Sequence, residues 1–145
     1  MIGLHDYWMC RDQTHARDLT AGIRTNAGIL LPRVNELLTV AKAYGVKFEV
    51  SPRTGSIVES GWRPPSVNAG IANAAPKSKH MFGLAVDIYD PDGDLDEWLM
   101  SDEAQPHLNK IDLWFEHPGS TKGWSHLQCV AFGSYRPGGK RWFYP

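Results

Sequence analysis

Cysteine is nearly missing from this sequence. Only Cys10 and Cys129 occur in 145 residues. That is too few for a disulfide framework, and they form no CxxC pair, so thiolate metal ligation and redox chemistry have no basis here. Cys129 is expected to pack as a small buried residue. An excess of one charge is lacking too. Fifteen basic and sixteen acidic residues are mixed along the chain, which leaves no basic stripe to neutralise a phosphate backbone, so no nucleic-acid partner is expected. No stretch approaches the roughly twenty apolar residues that span a bilayer, and the start MIGLHDYWMCRD lacks a cationic end followed by an apolar core. Neither membrane insertion nor a signal peptide is expected.

What the chain does have is turn-forming residues and enough length for a core. Fourteen glycines and ten prolines punctuate a sequence of one-domain size, which can bury roughly two thirds of the surface it exposes when unfolded. A single domain over 1–145 is expected. Leu30, Val34, Leu37, Leu38 and Ala41 recur at helical spacing between Asn26 and Gly45, with Pro32 read as part of a first turn and Gly45 as the stop. Short runs read as strands at 47–50, 56–60, 84–88, 113–116, 125–130 and 142–144. A second helix is expected over 97–104, N-capped by Asp94 or Asp96. Helices flanking a small, mainly antiparallel sheet make the fold class α+β.

The chemistry concentrates in two segments. In Ser78-Lys79-His80-Met81-Phe82-Gly83-Leu84-Ala85-Val86-Asp87-Ile88 a histidine and an aspartate bracket a turn into a strand, where Leu84, Val86 and Ile88 alternate with Ala85 and Asp87. In Gly123-Trp124-Ser125-His126-Leu127-Gln128, His126 and Gln128 share the face opposite Leu127. Two imidazoles and a carboxylate suit Zn²⁺, and three protein ligands leave one tetrahedral position for water. His5, His15 and His107 lack such a setting and read as ordinary surface or hydrogen-bonded residues.

Ser78-x-His80-x-x-Gly83-x-Ala85-x-Asp87 followed by Trp124-x-His126 resembles the paired signature of the zinc D-alanyl-D-alanine carboxypeptidases and L-alanyl-D-glutamate endopeptidases, which include many bacteriophage endolysins. Ser60-Gly61-Trp62-Arg63-Pro64 resembles that family's Ser-Gly-Tyr-Arg segment, and the three matches occur in the family's order across most of the chain. The resemblance implies that His80, Asp87 and His126 bind Zn²⁺ and that Arg63 and Ser78 contact substrate. It also implies that the reaction is hydrolysis of an amide in peptidoglycan stem peptides. Arg63 could grip a substrate carboxylate with two nitrogens or stabilise an oxyanion, or it could pair with an acidic neighbour to organise its loop.

The general base departs from part of that family, because Gly123 stands where some members carry a glutamate three residues before the last zinc histidine. Glu116 is the nearest acid and resembles a glutamate of phage-type members. It shares a face with His126 if strands 113–116 and 125–130 pair antiparallel with opposed numbers summing to an even value, and turns away otherwise. His117 is the second candidate. Trp62 and Trp124 are expected as cleft walls that bind substrate, and Trp8, Trp98 and Trp114 as core. The acidic run from Asp90 to Glu97 reads as a solvated turn feeding a helix cap, since its Gly93 is misplaced for an EF-hand loop.

The expectation is a monomeric zinc peptidase acting on peptidoglycan peptides. It would be made in a bacterial host's cytoplasm and reach the wall with a separate holin's help, or be carried in a virion. The rivals are a carboxypeptidase or dipeptidase trimming D-alanyl-D-alanine, and an inactive zinc-containing wall-binding or virion structural module.

Overall fold

The computed structural model of the chain describes residues 1–133, 135 and 138–145. Short helices α1 (Leu4–Trp8) and α2 (Arg11–Thr14) precede the long α3 (Ala21–Ala43). Then come β1 (Val58–Ser60), α4 (Pro65–Ala69), a 3₁₀ turn (Lys79–Phe82), β2 (Ala85–Asp90), α5 (Asp94–Met100), α6 (Ala104–Ile111), β3 (Trp114–Glu116), β4 (Gly123–Gln128) and β5 (Trp142–Phe143). The sheet order is β1-β2-β4-β3-β5, antiparallel except for the β3–β5 pair at one edge. The architecture is the α+β arrangement expected, with the mainly antiparallel sheet backed by helices. Among the described residues no helix is long and apolar enough to cross a membrane.

Helix α3 supplies the backing. Its stripe of Leu30, Val34, Leu37, Leu38 and Ala41 is buried with Val86, Ile88, Phe115 and Leu127, which alternate onto one face of the sheet. Each such leucine contributes on the order of 1.5–3 kcal/mol by leaving water. The helix starts five residues earlier than the apolar pattern suggests, because the Thr20 hydroxyl caps it by accepting from the Ile23 amide. Pro32 therefore lies inside the helix and not in its first turn, at the loss of one ladder hydrogen bond.

Other boundaries differ from expectation for identifiable reasons. Residues 47–50 form no strand: Lys47 and Val50 are exposed and no strand among the described residues pairs with the segment. The helix expected over 97–104 divides into α5 and α6 at Ser101, whose extended backbone stops one and whose hydroxyl accepts from the Ala104 amide. The cap of α5 comes from neither Asp94 nor Asp96 but from Asp90, whose two oxygens accept the Leu95 and Asp96 amides. Cys10 is exposed, Cys129 is half-buried, and both are free thiols.

Candidate metal centre

The opposite face of the sheet holds the chemistry. Strands β2 and β4 pair with Asp87 directly opposite His126, and Tyr89 opposite Trp124. The 3₁₀ turn brings His80 over them. It ends at Gly83, where φ is +73° and an added Cβ would sit 2.6 Å from the Ile23 carbonyl oxygen of α3, so only glycine allows both the left-handed exit and the close packing.

His80, Asp87 and His126 converge. Asp87 Oδ1 lies 2.8 Å from His126 Nδ1 and 3.1 Å from His80 Nε2, and the two ring nitrogens are 3.3 Å apart. Four-coordinate zinc with bonds of about 2.0–2.1 Å separates adjacent donors by about 3.3 Å, so little adjustment would admit an ion. The outer atoms agree. His80 Nδ1 lies 2.8 Å from the Gly61 carbonyl, an acceptor only, which assigns its proton to Nδ1 and a lone pair to Nε2. Gln128 donates its amide nitrogen to the Val130 carbonyl at 2.7 Å and turns its oxygen towards His126 Nε2 at 3.3 Å. That assigns the second lone pair to His126 Nδ1. Three buried acceptors thus face one another, an arrangement that requires a cation or a proton between them.

The electrostatics of the three groups point the same way. Burial pushes the Asp87 carboxyl up, but His80 and His126 outweigh it and hold the group far below the usual carboxylate range. Burial also lowers His80. For His126 burial acts downwards, yet the hydrogen bond to Asp87 and the charges of Asp87 and Glu116 raise it, which favours a proton on this ring.

Arg63 lies three residues beyond β1, whose pairing with β2 shifts register between Val58 and Ser60. Its Nη2 donates to Asp87 Oδ2 at 2.6 Å and its Nε to Ser60 Oγ at 2.8 Å. Two of its three nitrogens are thereby spent inside the protein, so a two-nitrogen grip on a substrate carboxylate is not open to Arg63 alone. It orients the carboxylate, the loop-organising alternative of the sequence reading.

Glu116 shares the face of His126. The pairs Trp114↔Gln128 and Phe115↔Leu127 sum to an even value, which continues to Glu116 opposite His126. The glutamate is half-buried and its pKa is raised, by burial first; His126 lowers it and Asp87 raises it further. His117 does not join them: its Nδ1 accepts from the Gly119 amide and its ring stacks on Tyr144.

Trp62 corrects an expectation. It is fully buried, donates its indole N–H to the Met81 carbonyl and meets Trp8 edge to face, so it is a pillar between α1 and the 3₁₀ turn with no surface for substrate. Trp124 is half-buried on the face of His126. Ser78 precedes the 3₁₀ turn, and its hydroxyl is without a partner among the described residues. Sequence reasoning missed Gln128 and the Gly61 carbonyl. Gln128 was detectable from its shared face with His126, whereas a backbone carbonyl leaves no mark in a sequence. Compared with protein-family models, curated proteins and solved structures, the chain matches none.

Proposed function

We propose that the protein is a zinc-dependent peptidase hydrolysing an amide bond in peptidoglycan stem peptides. The observation that supports this reading best is the set of three convergent acceptors, His80 Nε2, Asp87 Oδ1 and His126 Nδ1, each with its remaining atom committed to Gly61, Arg63 or Gln128. Two nitrogens and one oxygen fit Zn²⁺, and the lack of a fourth protein ligand among the described residues suits a catalytic site better than a structural one. When bound, zinc supplies Lewis acidity that renders water nucleophilic near neutral pH.

The chain's own groups supply the rest. Glu116 accepts the proton from the attacking water and returns it to the leaving amine, a task suited to a half-buried carboxylate with a raised pKa. Arg63 keeps Asp87 ionised and aimed, and Trp124 and Ser78 flank the substrate. The peptidoglycan assignment rests on the resemblance of the three motifs to wall peptidases, and a phage setting, with holin-assisted release or carriage in a virion, follows from the same resemblance. Zymography of the zinc-loaded protein on purified walls, followed by mass spectrometry of the fragments, tests it. Release of new amino termini supports an endopeptidase and release of D-alanine a carboxypeptidase, while wall binding without cleavage would replace the enzyme with a binding module.

A further inference from the structure

A second opening lies at the far ends of β2 and β4. Asp90 pairs there with Gly123, three residues along each strand from Asp87 and His126, a run of roughly 10 Å at the usual strand rise. The turn before α5, the first residues of α5 and the 117–123 segment line a cleft of about 540 Å³. Four carboxylates face it, from Asp90, Asp92, Asp96 and Glu97, against one lysine, Lys122. The Glu116 charge is felt both at Asp96 and at His126, which sets that glutamate between the cleft and the metal centre.

The four carboxylates are not equivalent. Asp90 is spent on the fold, since its oxygens accept from the Leu95 and Asp96 amides and the Ser125 hydroxyl. Asp92 and Glu97 are exposed. Asp96 is only 7% exposed, and it uses one oxygen: Oδ2 accepts from the Thr121 hydroxyl at 3.3 Å, while Oδ1 is buried without a partner among the described residues. None of the four forms an ion pair among the described residues. A buried carboxylate oxygen without a donor is costly, and negative charge gathered around a cleft favours a cationic guest.

The geometry narrows the kind of cation. Among the described residues only His80, Asp87 and His126 bring three ligand atoms within 4.8 Å of one another, so the carboxylates of the cleft stand too far apart to close on a bare metal ion. A guanidinium fork wants both oxygens of a carboxylate, and Thr121 holds one of them. A primary ammonium is a compact charge that needs a single oxygen, carried on an alkyl stem that suits the Met100 and Pro118 part of the lining.

We infer that this cleft binds a primary ammonium group, selecting peptides that carry an amine-bearing side chain within about three residues of the scissile bond, the reach of an extended chain over that distance. The inference rests on the peptidase reading for its substrate, but ammonium binding is measurable without cleavage. The test uses a short wall peptide whose only amine is that side chain's, free or acetylated, with the zinc-loaded protein. Acetylation keeps the stem and removes the charge. It should lower kcat/KM by about tenfold or more, the worth of one charge-assisted hydrogen bond, and in Asp96→Asn that penalty should fall to near one. No penalty in wild type, or an unchanged one in Asp96→Asn, overturns the inference; a merely structural Asp96 would slow both forms alike and leave the penalty unchanged.

Should Asp96→Asn lose its fold, Asp92→Asn combined with Glu97→Gln decides, because both side chains are exposed. The penalty must shrink several-fold in that variant, and an unchanged one overturns the cleft. If the wild type cuts neither form, the peptidase reading fails by itself, and calorimetry of the same two peptides decides: the free amine must bind more tightly than the acetylated form and lose that advantage in Asp96→Asn, and equal binding overturns the inference. Calcium chloride titrated alone is the remaining arm, where tight binding lost in Asp96→Asn would replace the ammonium with a divalent cation.

Discussion

At the scale of single residues, the candidate centre separates atoms that would face a metal ion from atoms that hold them in place, and each kind predicts a different loss. His126→Ala or Asp87→Ala leaves two ligands, and zinc content measured after dialysis should fall from about one equivalent to near zero. Arg63→Lys keeps a positive charge near Asp87 but cannot serve Asp87 and Ser60 together. We expect zinc affinity, titrated against a competing chelator, to weaken by roughly 10- to 100-fold, the usual cost of disturbing a ligand's outer partner. Glu116→Gln preserves shape and removes basicity. Turnover should drop by roughly 10²- to 10⁴-fold with zinc retained. Full turnover in that variant would exclude Glu116 as the base. His117→Ala should matter much less, because that ring is occupied with Gly119 and Tyr144.

At the scale of elements, the parts legible in the sequence were those whose signal is local. Alternation in β2 and β4 put Asp87 and His126 each on a definite face, and the strand register then set them opposite each other. The apolar stripe of α3 was equally plain. What the sequence hid depends on distant backbone. Helix α1 is five residues long and holds its place through Tyr7 and Trp8 packed on the 61–62 loop, and Trp62 looked like a cleft wall because nothing local shows that another chain segment covers it. The glycines mark these junctions. Gly83→Ala combines left-handed strain of about 1–2 kcal/mol with a backbone clash against α3. Thermal unfolding should shift down by several degrees, and zinc affinity should fall with it because the same turn carries His80. A variant of undiminished stability and affinity would mean that the α3 contact does not position the histidine.

For the molecule as a whole, the same buried charges that prepare the centre for a cation set how stability varies with pH, and they do so differently with and without metal. The depressed pKa of Asp87 contributes stability present above its unfolded value and lost as acid protonates it. Asp96 acts in the opposite sense. Burial raises its pKa to about 6, against a hydrogen bond from Thr121, and its Oδ1 is buried without a partner among the described residues. A carboxyl raised above its unfolded value contributes stability present below that value and lost as pH climbs through about 6. The raised His126 adds to the same decline. His80, lowered by burial, acts the other way, adding stability as pH rises to its unfolded value. Above that value only the losses from Asp96 and His126 remain, so the metal-free protein should unfold at its highest temperature in mildly acidic to neutral solution and weaken towards pH 8. Zinc needs both imidazoles deprotonated, so its binding strengthens as pH rises and moves the maximum towards neutrality or above. Asp96→Asn removes one cause of the decline without touching the metal. In melts of the metal-free protein it should gain about 1–2 kcal/mol at pH 8 relative to pH 4, less than the full shift implies because solvent screens part of the effect. A metal-free protein whose stability instead rises steadily from pH 4 to 8, in both wild type and Asp96→Asn, would show that Asp96 is ionised at little cost and that the pKa of His126 is not raised.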